Sequence, residues 1–143
     1  MRCISLWNPW AMLWLLPGEK RFETRSWSTN HRGPLLVHAA KKRDGDVREY
    51  LGCRHFVERL AAHGLTPADL AFGAIIGRVE LVSCWLTEFR PPELDSLEEK
   101  AGNWERGRYA WGRASQPVLF DKPIPYRGSQ GFFDVPAEVI AGV

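Results

Sequence analysis

The sequence predicts an α+β fold: a small, mostly antiparallel, partly closed β-barrel with two to four flanking helices. Three observations predict it, namely several short strand-like segments, two or three helical segments between them, and no regular strand–helix alternation of the kind that builds a parallel sheet. The 143 residues are close to the commonest size of one domain and contain no stretch that reads as a linker, so one domain over residues 1–143 is expected. Hydrophobic residues make up 45% and aromatics 12%, enough apolar area for a core and far from the polar composition of disordered chains.

Cys3 to Leu6 is short and apolar enough for a first strand. Asn8-Pro9 is then a helix start, a side-chain cap followed by proline at the first helical position, and the helix is expected over Pro9 to Leu16 until Pro17-Gly18 stops it. Phe22 to Arg25 has period 2, which puts Glu23 and Arg25 on one face and Phe22 and Thr24 on the other. After a polar loop, Leu35 to Ala39 is a continuous apolar run that reads as a buried strand, with His38 inside it. Asp46 to His63 carries helical spacing and ends at Gly64, and Thr66-Pro67-Ala68-Asp69 is a second capped turn. Ala74 to Leu86 is a long strand in which Gly77 marks a bulge or bend. The acidic stretch Pro91 to Gly102 is half helix and half loop. Tyr109 to Trp111, Val118 to Phe120 and Phe132 to Val135 are short strands between Gly- and Pro-rich turns.

The formal net charge of +2 does not by itself imply a nucleic-acid partner, but its distribution is uneven. Residues 1–54 carry ten Lys/Arg against five Asp/Glu, residues 55–105 four against nine, and fourteen of the nineteen cations are arginine, the side chain that offers a planar fork to phosphate and stacks on rings. Cys3, Cys53 and Cys84 are odd in number and widely spaced, with no metal-ligand spacing to histidine, which fits a reduced, cytoplasmic protein. The apolar segment Ile4 to Leu16 is too short to span a bilayer and lacks the basic leader and cleavage site of a signal peptide, so no membrane association is expected. No zinc-site spacing, P-loop, dinucleotide fingerprint or nucleophile elbow is present, and neither a metal nor a cofactor is expected.

The segment Ser5-Leu6-Trp7-Asn8-Pro9-Trp10-Ala11 and the run Gly18-Glu19-Lys20-Arg21-Phe22-Glu23-Thr24-Arg25, a G-x-K-x-x-E-x-R pattern, resemble the ASCH (activating signal cointegrator homology) domain family of the PUA-like superfamily. Ser26-Trp27, Arg32-Gly33 and His38-Ala39-Ala40-Lys41 extend the likeness. Gly73 to Leu86, Gly107 to Trp111 and Pro123 to Phe132 carry it to the C-terminal half. The resemblance implies a PUA-like β-barrel with a cleft beside the signature, used for RNA, single-stranded DNA or nucleotide recognition. Some members resemble enzymes instead, metal-dependent ribonucleases or amidohydrolases acting on acylated cytidine. The amidohydrolases tend to carry Thr where this chain has Glu23.

The expected function is therefore binding of RNA, single-stranded DNA or a nucleotide in a basic, Trp-lined cleft. Lys20, Arg25, Arg32, Lys41, Lys42 and Arg108 supply cations for the backbone. Trp27, flanked by serines, is either a partly exposed platform for a base or a buried indole. Asn8, Ser26 and Glu23 hydrogen-bond a base edge or hold Lys20. Trp104 and Trp111 flank Arg106 and Arg108 in an arrangement suited to stacking with phosphate neutralisation, or equally plug the barrel end. Trp7, Trp10 and Trp14 have helical spacing and at least two of them read as core. His38 reads as a hydrogen-bonded core residue, and His31 as a loop residue that is solvated or touches substrate. If the protein is an enzyme, Lys20 and Glu23 are the catalytic candidates, with a carboxylate from Glu98, Glu99 or Glu105 as partner and Glu105 the one singled out. A third reading makes the acidic 88–105 region a protein-contact surface.

Overall fold

The computed structural model describes residues 1–41 and 54–143. Strands β1 (Arg2–Leu6), β2 (Phe22–Arg25), β3 (Gly33–Ala39), β4 (Ala74–Leu86), β5 (Tyr109–Arg113), β6 (Val118–Pro125) and β7 (Phe132–Asp134) form one sheet, with helices α1 (Trp10–Trp14), α2 (Arg54–Ala61) and α3 (Ser96–Ala101) and short 3₁₀ turns between them. The start of the helix expected over Asp46–His63, together with Lys42 and Cys53, lies outside the described residues.

The strand order is β2-β5-β4-β3-β1-β7, with β6 pairing β4 off this path. Every ladder among the described residues is antiparallel except that of β1 with β3, which is parallel and sets Ser5 opposite His38. The long β4 is the spine. Its first half pairs β3 on one side and β6 on the other, and its second half pairs β5. The ladders shift register near Gly77, between Val37 and His38 and between Ile75 and Gly77, as the glycine in that strand predicts.

The sheet is open: the end strands β2 and β7 share no ladder, so strand pairing does not make the partial closure expected of a barrel. Side chains cross the gap instead. Trp27, just beyond β2, packs edge-on to Phe132 of β7 at 5.2 Å, and Arg25 Nη2 donates to Ser5 O at 3.0 Å.

Strand alternation sorts the core into layers. Ile4, Leu6, Leu35, Val37, Ile76 and Leu81 pack with Trp14 and Leu15 of the α1 segment. The opposite side of that segment, Met12, Leu13 and Leu16, packs on Phe56 and Leu60 of α2 and on Leu97 of α3. Cys3, Leu36 and Ile75, on the other face of the sheet, pack with Phe120 and Val135. Ser5 and His38 follow Cys3 and Leu36 by two residues and therefore share this second face. No helix among the described residues is long and apolar enough to cross a membrane.

Candidate functional site

The signature turn is held from several directions. Gly18 takes φ of +78°, a conformation that costs an ordinary residue but not glycine. The Arg113 guanidinium donates to Leu16 O at 3.0 Å and Lys20 O at 3.2 Å, and Trp14 Nε1 donates to Arg21 O at 3.1 Å. Burial brings the Arg113 pKa down to about 10, helped by the nearby Arg21 charge, while Glu98 and Glu19 oppose the shift. Glu19 ties the turn to α2 through Arg59 at 2.6 Å and to His63 at 3.1 Å. Glu98, buried at 3% exposure, accepts from the backbone N–H of Arg21 at 2.7 Å and of Phe22 at 3.3 Å. Desolvation raises its pKa against the pull of those two donors and of Lys20.

This packing encloses Lys20. It is 0% exposed, donates to Phe22 O, pairs with Glu23 Oε1 at 3.3 Å, and lies over the Trp14 ring. Glu23 also accepts from Thr24 N at 3.1 Å. Sequence reasoning expected an ammonium, a guanidinium and an indole in one hollow open to water. Among the described residues the ammonium is sealed inside by atoms arriving from three segments.

The other expected residues are distributed. Asn8 is buried, accepts from Met12 N at 3.0 Å and donates to Ala71 O at 2.5 Å; it is not the expected cap, because the helix starts one residue late, at Trp10, with Pro9 in the capping position and no side-chain cap bond. Trp27 is half-buried, 4.6 Å from Trp111 and edge-on to it, and its carbonyl accepts from Trp111 Nε1 at 3.2 Å. Trp111 is fully buried, and Trp104 is half-buried, donating to Glu98 O at 2.9 Å while packing near Phe22 and Trp85. Ser26 and Arg32 are exposed, Arg32 folding back onto Thr29 O and His31 O. His31 Nε2 donates to Pro34 O at 3.0 Å. Arg108 is half-buried, its Nε buried and, like that of Arg25, without a partner among the described residues. Glu105 is exposed and is held through its backbone by Thr87 and Asn103. Glu99 pairs with Arg90 at 3.5 Å.

Among the described residues of the expected set, Lys41 alone lines a cleft of about 680 Å³ on the second face of the sheet. Its floor is Ser5 and His38, its walls include Lys41, Arg127 and Gln130, and its described lining contains no tryptophan. Ser5 Oγ and His38 Nδ1 are 2.9 Å apart, and His38 Nε2 is 2.8 Å from Tyr126 O. Because a carbonyl only accepts, Nε2 carries a hydrogen, and desolvation lowers the His38 pKa against the opposing Tyr126 contact. The ring is neutral near pH 7, Nδ1 is bare, and Ser5 donates to it. Arg25 reaches this floor from behind, through Ser5 O.

The ASCH domain profile matches residues 4–123, which takes in most of β1, the signature, the floor of the cleft and most of β6. The chain belongs to the ASCH domain family. Activating signal cointegrator 1 of Mus musculus is 37% identical over 84 residues, covering 57% of this chain and 14% of that protein, and its Homo sapiens counterpart is 36% identical over 84 residues. The chain thus matches a small part of those relatives' length. Among solved structures, a tyrosine-to-phenylalanine variant of the Zymomonas mobilis ASCH protein superposes with a TM-score of 0.52 at 14% identity, over 98% of this chain and 93% of that one. The unsubstituted protein gives 0.50 at 12% identity, over 98% and 90%. These likenesses show a common ASCH fold.

Sequence reasoning missed Ser5, Arg127 and Gln130 and assigned His38 to the core alone. The signal available was the shared period-2 face of Cys3-x-Ser5 and Leu36-x-His38. What it lacked was the parallel register that puts the two polar residues opposite each other.

Proposed function

We propose that this ASCH domain, taken as one unit over residues 1–143, binds single-stranded nucleic acid or a nucleotide in the Ser5–His38 cleft. The observation that carries the reading is the composition of that cleft. It is an open hollow of about 680 Å³, a volume in the usual range for small-ligand sites, with hydrogen-bonding groups on its floor and two cations, Lys41 and Arg127, on its walls. Cations contact phosphate and set affinity, and the floor discriminates. Lys41 keeps the role expected of it. Arg25 contributes by holding the floor, while Lys20 and Glu23 support β2 from inside.

Fluorescence anisotropy with labelled single-stranded RNA and DNA tests the reading. The Lys41→Ala, Arg127→Ala double variant should bind more weakly, and its slope of log affinity against log salt should be shallower by about 1 to 2. Affinity and slope equal to those of the unsubstituted chain would remove the cleft from consideration.

A further inference from the structure

The cleft floor constrains which hydrogen-bonding group can meet it. A serine hydroxyl in solution rotates freely and serves as donor or acceptor. Ser5 has lost that freedom. Tyr126 O fixes the hydrogen of His38 on Nε2 at 2.8 Å, and the bare Nδ1 then takes the Ser5 hydrogen across 2.9 Å. What Ser5 Oγ has left for the cleft is lone pairs.

The arrangement is held on three sides. Ser5 and His38 are paired residues of the β1–β3 ladder, so their backbones are fixed relative to each other. The carbonyl that sets the tautomer is anchored too, because Tyr126 N donates to Gly73 O at 3.1 Å. Gly128 presses on the pair from the cleft side. A Cβ built there would lie 2.6 Å from His38 Cε1 and 3.2 Å from Ser5 Oγ, so only glycine lets the 126–130 loop come this close, and the acceptor is recessed beneath it.

From this geometry we infer that the cleft selects a ligand presenting a protruding N–H donor, the exocyclic amine of adenine, cytosine or guanine, which seats on Ser5 Oγ, and disfavours uracil, which has none. The inference rests on the nucleic-acid reading of the same cleft. A ring N–H, as in uracil, lies between two carbonyls or beside one, so on approach to a recessed acceptor it brings an oxygen against the Gly128 backbone and the His38 ring. An exocyclic amine stands clear of its ring and avoids that approach. An oxygen placed where the amine belongs would face the Ser5 lone pairs and leave two acceptors buried without a hydrogen.

The test is a two-by-two cycle of binding measurements by anisotropy. The ligands are adenosine oligonucleotides and matched oligonucleotides of purine riboside, which keep the ring and lose only the amine. The proteins are the unsubstituted chain and Ser5→Ala, with circular dichroism melting curves to confirm that both are folded. The unsubstituted chain should lose about tenfold in affinity when the amine is removed, the size expected of one buried hydrogen bond. Ser5→Ala should bind both oligonucleotides alike. If Ser5→Ala melts early, Ser5→Cys, which keeps the volume but is a weaker acceptor, takes its place in the cycle and should shrink the amine effect, and the ligand-side comparison on the unsubstituted chain stands beside it. An amine effect that is absent in the unsubstituted chain, or equal in both proteins, overturns the inference while the binding reading stands. No binding of any oligonucleotide overturns both.

Discussion

Replacing Lys20 should damage folding more than it damages any ligand contact, and the structure fixes the size of the effect. Its ammonium is 0% exposed and lies 3.3 Å from Glu23 Oε1, whose side chain is 11% exposed. At that distance, with an effective dielectric of about 20, the pair attracts by about 5 kcal/mol before desolvation is counted. In Lys20→Ala the Glu23 carboxylate stays buried and keeps only the Thr24 N–H, the situation in which breaking a buried pair costs about 3–5 kcal/mol. For a chain of this length that lowers the melting temperature by about 10–17 °C. The double replacement Lys20→Met with Glu23→Met removes both charges and keeps the volume, and should recover at least half of the loss. Thermal melting followed by circular dichroism, with the three variants compared in one buffer, is the assay. A surface lysine would show a shift within about 2 °C of zero. That result for Lys20→Ala, or a double variant worse than both singles, would refute the enclosed ion pair.

Trp27→Ala removes edge-on contacts to Trp111 at 4.6 Å and Phe132 at 5.2 Å and should cost about 2–4 kcal/mol in urea denaturation. Oligonucleotide affinity at a temperature where the variant is folded should change little, and a large loss of affinity with unchanged stability would return Trp27 to the role of stacking platform. Because burial lowers the His38 pKa, the unfolded chain takes the proton first as pH falls, so this group is silent above about pH 6.5 and drains stability below it, down to its native value. Urea midpoints at pH 7.5, 6.5 and 5.5 should fall with a slope of up to about 1.4 kcal/mol per pH unit from this site, and His38→Gln should flatten that part of the curve. Cys3 is buried with its thiol pushed up to about 12, burial being the main cause, so iodoacetamide at pH 8 followed by peptide mass mapping should leave it unmodified in the native protein and modify it in urea. Rapid native labelling of Cys3 would mean that β1 opens.

The elements that were legible in the sequence have strong local signals at both ends. β2 and β4 occupy Phe22–Arg25 and Ala74–Leu86, the ranges that period 2 and β-branched composition mark out, and the capping box at Thr66 and Asp69 is formed. β6 runs to Pro125, past the three residues its apolar run suggested. Its polar Asp121-Lys122 and two prolines hide a strand whose last residues, Ile124 and Pro125, pair with Ile75 and Ala74. Proline is tolerated there because β6 lies at a margin of the sheet. The site was less legible because burial is a non-local property. A lysine after a Pro-Gly turn reads as solvated, and only the arrival of Trp14, Glu23 and the carbonyl-gripping Arg113 from separate segments encloses it.

The signature nevertheless bears on the cleft, by a mechanical route. Arg113 and Glu19 fix the turn, the Lys20–Glu23 pair fixes the start of β2, and two residues later Arg25 reaches across the open edge of the sheet to Ser5 O at 3.0 Å. That carbonyl belongs to the residue whose hydroxyl forms the cleft floor. The Arg25 fork offers several donors in a rigid plane, which a lysine cannot copy, and its Nε is buried without a partner among the described residues, a cost accepted to place the guanidinium there. A substitution in the signature can therefore weaken ligand binding without any signature side chain touching the ligand, by letting Ser5 shift against His38. Binding loss in a Lys20 or Arg25 variant is then no proof of contact. Under the proposed function, a contact residue is one whose loss changes the salt slope while the melting temperature holds, and Lys41→Ala and Arg127→Ala are expected to behave in that way.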